Sequence, residues 1–157
     1  MKRSPLAFML ATLCGLAPFA DAQLKKAPSP AGEWGFKTEK MGYGCALFGE
    51  ISIKQTTDKS YSCSFKAVWG CELRQPKSVE TDQSCVATQA GSDITITSKI
   101  EKITRVDPAD MMDFMRRRYA ADHFAVKINT RGDEMDGIFH SYGQAPVKFR
   151  RKHELVS

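Results

Sequence analysis

The feature that most constrains this fold is an alternation of apolar and polar residues that runs through most of the chain from Gly32 onward. Between Tyr61 and Trp69, for example, every odd-numbered residue is apolar, whereas residues 62, 64 and 66 are polar. Successive side chains of a strand point to opposite faces, so this period predicts half-buried antiparallel strands. Roughly eight such strands predict a closed up-and-down barrel or a tight sandwich.

One segment breaks this alternation. Residues 107–110, Asp-Pro-Ala-Asp, place a capping residue, a proline at the first helical position and an acid in the first turn. The apolar residues that follow recur at helical spacing: Met111, Met112, Phe114, Met115 and Tyr119. We therefore expect one inserted helix over 108–119. Its adaptable methionines, Met111, Met112 and Met115, are candidate ligand-binding residues, and the alternative is that this face packs on the barrel wall.

The last third of the chain predicts two hairpins. A turn at 131–134 places Val126 opposite Phe139, and a turn at 143–145 places Phe139 opposite Phe149. Both registers put the apolar residues on one face, and they set Arg151 opposite Gly137 on that inner face.

The N-terminus indicates export. Lys2 and Arg3 precede an apolar run over 6–20, and Ala20-Asp21-Ala22 forms a small-x-small cleavage site before Gln23. This order predicts a signal peptide over 1–22 and a periplasmic or secreted protein. We expect a flexible leader over 23–31 and one domain over 32–153. No later apolar run approaches the roughly twenty residues of a membrane helix, so no stable membrane span is expected.

Four cysteines remain after the predicted signal peptide. An even number of cysteines in a small exported protein predicts disulfides rather than metal ligands, and no Cys-x-x-Cys step favours zinc. Two pairings stay open. One joins Cys45 with Cys71 and Cys63 with Cys85, and the other joins Cys71 with Cys85 and Cys45 with Cys63.

Charge and motifs favour a binding protein over an enzyme. The net charge of +5 is too dispersed for a nucleic-acid partner. The sequence shows no Gly-rich phosphate loop, nucleophile elbow or paired inward carboxylates, so we expect no catalytic residue, cofactor or metal. His123 and His140 are predicted as diagonal neighbours on the outer face, with Asp122 and Asp136 close by. We interpret them as solvated.

A short motif and one distant arginine carry a family resemblance. Gly32-Glu33-Trp34 opens the first strand, and Arg151 lies on the last one. This resembles the calycin group, the lipocalins and their relatives, in which an arginine packs on such a tryptophan and closes the barrel base. Trp34 and Arg151 are therefore expected to be structural. The resemblance implies an exported barrel that holds a small apolar molecule or lipid fragment. The candidate lining is Phe36, Phe65, Trp69, Phe124, Phe139 and Phe149.

A second resemblance leads to a different partner. The same opening also resembles small secreted barrel inhibitors of bacterial metalloproteases, which insert an N-terminal trunk into the enzyme cleft. It implies an inhibitor or accessory protein that binds another exported protein, such as a protease, through loops or the arm at 23–31. A hollow interior favours the small ligand, and a filled interior favours the protein partner.

Overall fold

The computed structural model describes residues 26–152, and the predicted signal peptide lies outside them. Eight antiparallel strands follow one another around a closed barrel, and the last pairs with the first. The strands are β1 (Gly32–Thr38), β2 (Ala46–Gln55), β3 (Ser60–Gly70), β4 (Ser78–Ala90), β5 (Asp93–Asp107), β6 (His123–Ile128), β7 (Glu134–His140) and β8 (Gln144–Arg151). The predicted up-and-down barrel is confirmed, and the sandwich alternative is wrong. No helix within the described range is long and apolar enough to cross a membrane.

The inserted helix is present between β5 and β6, but it starts later than predicted. A 3-10 turn over Ala109–Met111 leads into α1 (Met112–Arg118). Pro108 is extended and precedes the 3-10 turn without a side-chain capping bond, so Asp107 does not cap the helix. Three arginines occupy the last turn of α1, where the helix dipole favours cations.

The strand registers of the two C-terminal hairpins differ from the prediction. Phe139 pairs with Phe124 rather than Val126, and with Ala145 rather than Phe149. The shifts of two and four residues are even, and side chains alternate with a period of two, so the predicted inner face is retained. Gly137 pairs with Val147 across β7 and β8, so the predicted position of Arg151 opposite Gly137 is wrong. On the other side of β8, Arg151 pairs with Trp34 of β1.

The loop between β6 and β7 explains the first register shift. The Asn129 side-chain oxygen accepts bonds from the backbone N–H groups of Gly132 and Asp133, at 2.8 and 3.2 Å. The loop therefore spans 129–133, starting two residues before the predicted turn. Hydrogen bonds in which an asparagine side chain accepts from backbone N–H groups a few residues later are typical of turns.

Aromatic side chains fill the barrel interior. The ring of Phe124 lies 5.2–5.9 Å from those of Phe36, Phe65, Phe139 and Phe149. These five side chains are buried in one continuous cluster. The interior is packed in the manner of a protein core, which matches the expectation for a barrel of only eight strands.

Two glycines permit the close approach of strands that closes the barrel. A Cβ atom at Gly49 would lie 2.0 Å from the backbone oxygen of Lys66, and one at Gly137 would lie 2.1 Å from that of Ala125. Any side chain would force these strands apart, so glycine is required at both positions.

One end of the barrel, which we call the base, is closed by Trp34, Arg151 and the chain that precedes β1. The Arg151 guanidinium carbon lies 4.3 Å from the centre of the Trp34 ring, which is fully buried. Arg151 also donates to the backbone oxygens of Gly132 and Ser29, at 2.7 and 3.0 Å, and to that of Ala31. The Trp34 indole donates to the Pro30 oxygen at 2.8 Å. The part of the leader over 29–31 is thus bonded to the base.

The disulfides follow the first of the two predicted pairings, Cys45–Cys71 and Cys63–Cys85. Cys63 and Cys85 lie directly opposite each other on β3 and β4. Cys45–Cys71 lies at the end of the barrel away from the base, where it ties loop 71–77 to the start of β2. One bridge therefore joins two adjacent strands of the barrel, and the other fixes a loop at the end away from the base.

Candidate functional site

The end of the barrel opposite the base, which we call the mouth, carries a pocket of about 420 Å³. Four segments surround it, namely the end of β3, loop 71–77, helix α1 with the chain after it, and loop 141–143. This mouth pocket is lined by Trp69, Cys71, Arg74, Gln75, Pro76, Phe114, Met115, Arg118, Tyr119, Asp122, Ser141 and Tyr142. Its walls are largely apolar, and its charged groups are two arginines and one aspartate.

Helix α1 is held over the mouth by a small apolar cluster of its own. Met115 is buried against Val79, Ile103 and Val106, where β4 and β5 extend past the barrel. Tyr119 packs on the same cluster. With one face fixed in this way, α1 presents Phe114 and Arg118 to the pocket.

Loop 71–77 forms the opposite wall, and three bonds position it. The Cys45–Cys71 disulfide holds its start. The backbone N–H of Cys71 donates to the oxygen of Lys77 at 2.8 Å, and the N–H of Lys77 donates to the oxygen of Asp107 at 2.6 Å. The loop therefore places Arg74, Gln75 and Pro76 against the pocket on a fixed backbone.

Below the pocket lies a band of buried polar side chains, Thr81, Gln83, Ser98 and Asp122, which we call the polar floor. The Gln83 amide donates to Asp122 Oδ2 and, at 3.0 Å, to Thr81 Oγ1. Gln83 Oε1 accepts from the Ser98 hydroxyl at 2.9 Å and from the Asp122 backbone N–H at 3.1 Å. All buried side-chain nitrogens and oxygens in the described residues have such a partner, so the floor is a satisfied network.

Asp122 is the titratable group of this network. It is only 1 % exposed, and burial raises the pKa of its carboxyl from 3.8 to about 6, although hydrogen bonds from Gln83 and Tyr119 oppose this shift. Burial and the neighbouring carboxylate likewise raise the pKa of Tyr119 above its usual 10. Asp122 therefore titrates near pH 6, where Tyr119 stays protonated.

This shift predicts a pH-dependent stability that Asp122→Asn removes. Between pH 3.8 and about 6 the folded protein binds more protons at Asp122 than the unfolded chain does, so stability falls as pH rises through this interval. Above about pH 6 we expect the unfolding free energy of Asp122→Asn to exceed that of the wild type by about 2–3 kcal/mol. The asparagine oxygen still accepts the hydrogen bonds from Gln83 and Tyr119, but it carries no buried charge. Urea unfolding at pH 4 and pH 7 measures both proteins.

The comparison of the two proteins removes the contribution of other carboxyls, such as Asp133, whose pKa is lowered mainly by its hydrogen bond from Asn129. If the difference in stability between wild type and variant is the same at both pH values, Asp122 does not titrate as described.

The structure distributes the predicted site residues over three places. Of the six predicted aromatic lining residues, only Trp69 lines the mouth pocket, and the other five fill the interior. Of the three methionines, Met115 lines it, whereas Met111 and Met112 pack half-buried against the cluster beneath α1. The candidate site therefore lies at the mouth rather than inside the barrel.

The predicted arrangement of the histidines needs correction. His123 and His140 are direct partners across β6 and β7 rather than diagonal neighbours. Asp122 lies on the inside of the barrel and not beside them on the outer face. His123 Nδ1 accepts a bond from the backbone N–H of Ser98 at 3.0 Å. Among residues 26–152 no three His, Cys, Asp or Glu side chains are grouped so that they could hold a metal ion.

Sequence reasoning missed the polar floor, although the alternation carries its signal. Phe124 and Val126 point inward, so Asp122, two positions before Phe124, is also expected to point inward. Gln83 likewise lies two positions before the inward-facing Cys85 on β4. Arg74 and Tyr142 lie on loops, where periodicity gives no such signal.

Comparisons with known proteins find a similarity in structure and no match in sequence. No family model matches the chain, and no curated protein matches its sequence. Among solved structures, a designed fluorescence-activating β-barrel is similar, with a TM-score of 0.45 and 15% sequence identity over 78% of this chain and 93% of that one.

Proposed function

We propose that this chain is an exported, non-enzymatic binding protein that holds a small molecule with an apolar body in the mouth pocket. The observation that carries this proposal is a formed pocket of about 420 Å³ between α1, loop 71–77 and loop 141–143. Small-molecule sites are commonly apolar concavities of about 300–1,000 Å³ with a few polar groups, and the mouth pocket has this size and composition.

The proposed compartment is supported by the two disulfides, because such bonds persist in the periplasm and outside the cell. The contact of Arg151 with Trp34 supports a calycin-like barrel. The filled interior, however, favours a ligand above the barrel core rather than within it. The ligand then rests between Phe114, Trp69 and the polar floor.

A binding role without catalysis is supported by the state of Asp122. Its Oδ2 atom accepts hydrogen bonds from both Gln83 and Tyr119, and its backbone N–H donates to Gln83. A carboxyl oxygen engaged in this way supports the floor of the pocket. A general base needs its acceptor directed at a substrate proton instead.

A second candidate, binding of another exported protein, is favoured by one observation. Four of the seven large apolar side chains that are exposed in the described residues lie on segments around the mouth: Tyr43, Leu73, Phe114 and Tyr142. Several large apolar side chains exposed at one end of a protein are typical of an interaction surface. Since residues 29–31 are bonded to the base, the mouth loops rather than the arm at 23–31 would contact the partner.

Binding of the neutral fluorophore N-phenyl-1-naphthylamine tests the small-molecule proposal. We expect its emission to rise on binding and the variant Phe114→Ser/Tyr142→Ser to weaken its affinity about tenfold or more, because both side chains cover the pocket. The matched control is Val86→Ser/Ile138→Ser, which removes two exposed apolar side chains outside the pocket and should leave the affinity within about twofold.

Native mass spectrometry of protein purified from its own host separates the two candidates. A co-purified small molecule that the Phe114→Ser/Tyr142→Ser variant loses supports the first. A stoichiometric protein partner, together with no binding of the fluorophore, would replace it with the second.

A further inference from the structure

Two arginines at the exposed edge of the mouth pocket have no carboxylate partner among residues 26–152. Arg74 lies on loop 71–77 and Arg118 ends α1, on opposite walls, and both are exposed. Four other arginines of residues 26–152 form ion pairs with nearby carboxylates: Arg105, Arg116, Arg131 and Arg150. The two cations that share the pocket edge are thus available to a ligand.

Each of these two guanidinium groups rests on an aromatic ring. The Arg118 Cζ atom lies 5.9 Å from the centre of the Phe114 ring, and the Arg74 Cζ atom lies 5.8 Å from that of Tyr43. A ring below a guanidinium orients it without occupying its N–H donors. Both side chains are therefore positioned and keep donors for an incoming group.

Resting on the binding function proposed above, we propose that the ligand of the mouth pocket is an anionic amphiphile, whose oxyanion binds Arg74 and Arg118 and whose apolar body lies between the walls. A carboxylate, sulfonate or phosphate fits this role, because a planar guanidinium donates paired N–H bonds to such groups.

The other end of the pocket gives the ligand its direction. Asp122 lies at the floor, 1 % exposed, and a second negative charge beside it would be unfavourable. Phe114, Met115 and Trp69 provide apolar contacts between the floor and the edge. The positions of the charged and apolar groups therefore favour one orientation of the ligand, with its apolar part towards the floor and its oxyanion at the edge.

A pair of fluorophores tests this inference. N-phenyl-1-naphthylamine and 8-anilinonaphthalene-1-sulfonate share one ring skeleton, and the second adds a sulfonate. We expect the wild type to bind the sulfonate about tenfold more tightly at low salt, since a bond to a charged group is worth roughly one such factor. Arg74→Gln/Arg118→Gln should abolish this preference.

Arg117→Gln is the matched control. Arg117 is also exposed, lies on the same helix and has no ion pair in the described residues, but it does not line the pocket. It should retain the preference for the sulfonate. Near-ultraviolet circular dichroism of each variant verifies native packing, because the sulfonate dye also binds partly folded chains.

The outcomes distinguish failure of the anion inference from failure of the proposed binding function. If wild type binds both fluorophores equally, or if Arg117→Gln removes the preference as fully as the double variant does, the anion inference is wrong and the binding function stands. If neither fluorophore binds, the anion inference and the proposed small-molecule binding are both wrong. Displacement of the sulfonate by monomeric decanoate, but not by decanol, supports a dissolved amphiphile. Displacement only by phosphatidylglycerol vesicles supports the headgroup of a membrane lipid.

Discussion

Reduction of both disulfides is expected to lower the free energy of unfolding by about 6 kcal/mol, since each closes a loop worth about 3 kcal/mol. The bridged cysteines are 26 and 22 residues apart. Domains of this size have an unfolding free energy of about 5–15 kcal/mol in total, so reduction should remove about 40 % or more of it. Urea unfolding followed by tryptophan fluorescence, with and without a phosphine reductant, measures the difference.

The two bridges should differ in their effect on binding. Cys63→Ala/Cys85→Ala removes a bond between β3 and β4, which remain paired along ten further positions. Cys45→Ala/Cys71→Ala releases loop 71–77, which supplies Arg74 to the pocket. We expect similar losses of stability but weaker fluorophore binding only in the second variant. An unfolding midpoint that does not move on reduction would contradict the stabilising role of both bonds.

The sequence predicts the barrel well because alternation depends on one local property, the period of two. The alternation from Tyr61 to Trp69 recurs in β3 as inward and outward positions. Strand register is harder to predict, since it depends on where each loop begins. Asn129 shows why: its side chain bonds to Gly132 and Asp133, so β6 ends at Ile128, two residues earlier than a turn at 131–134 requires.

The mouth pocket is less predictable because segments distant in sequence form it together. Arg74 and Arg118 are 44 positions apart in the sequence and line one pocket only because Cys45–Cys71 fixes the loop and Met115 docks the helix. The methionines point to this region, but their spacing does not reveal that Met115 is buried beneath α1 while Phe114 is 48 % exposed at the pocket. Periodicity identifies which element is amphipathic, and only tertiary packing decides which neighbour it meets.

Trp34→Ala is expected to lower the free energy of unfolding by about 3–5 kcal/mol, the range for deleting a large buried aromatic side chain. Trp34 is fully buried, its ring lies 4.3 Å from the Arg151 Cζ atom, and its indole donates to Pro30. The substitution removes apolar contacts, the cation–π contact and the bond that holds the chain before β1. Urea unfolding by circular dichroism is the measurement.

Arg151→Ala should have a smaller effect in the same direction, about 1–3 kcal/mol, because the backbone oxygens of Ser29, Ala31 and Gly132 lose their donor. Arg150→Ala is the control, since this exposed neighbour makes only a surface ion pair with Glu134, worth about 0–1 kcal/mol. The double variant Trp34→Ala/Arg151→Ala should lose less than the two single variants together, because both act on one contact. Strict additivity, or equal losses for Arg150→Ala and Arg151→Ala, would show that the base is not closed by this pair.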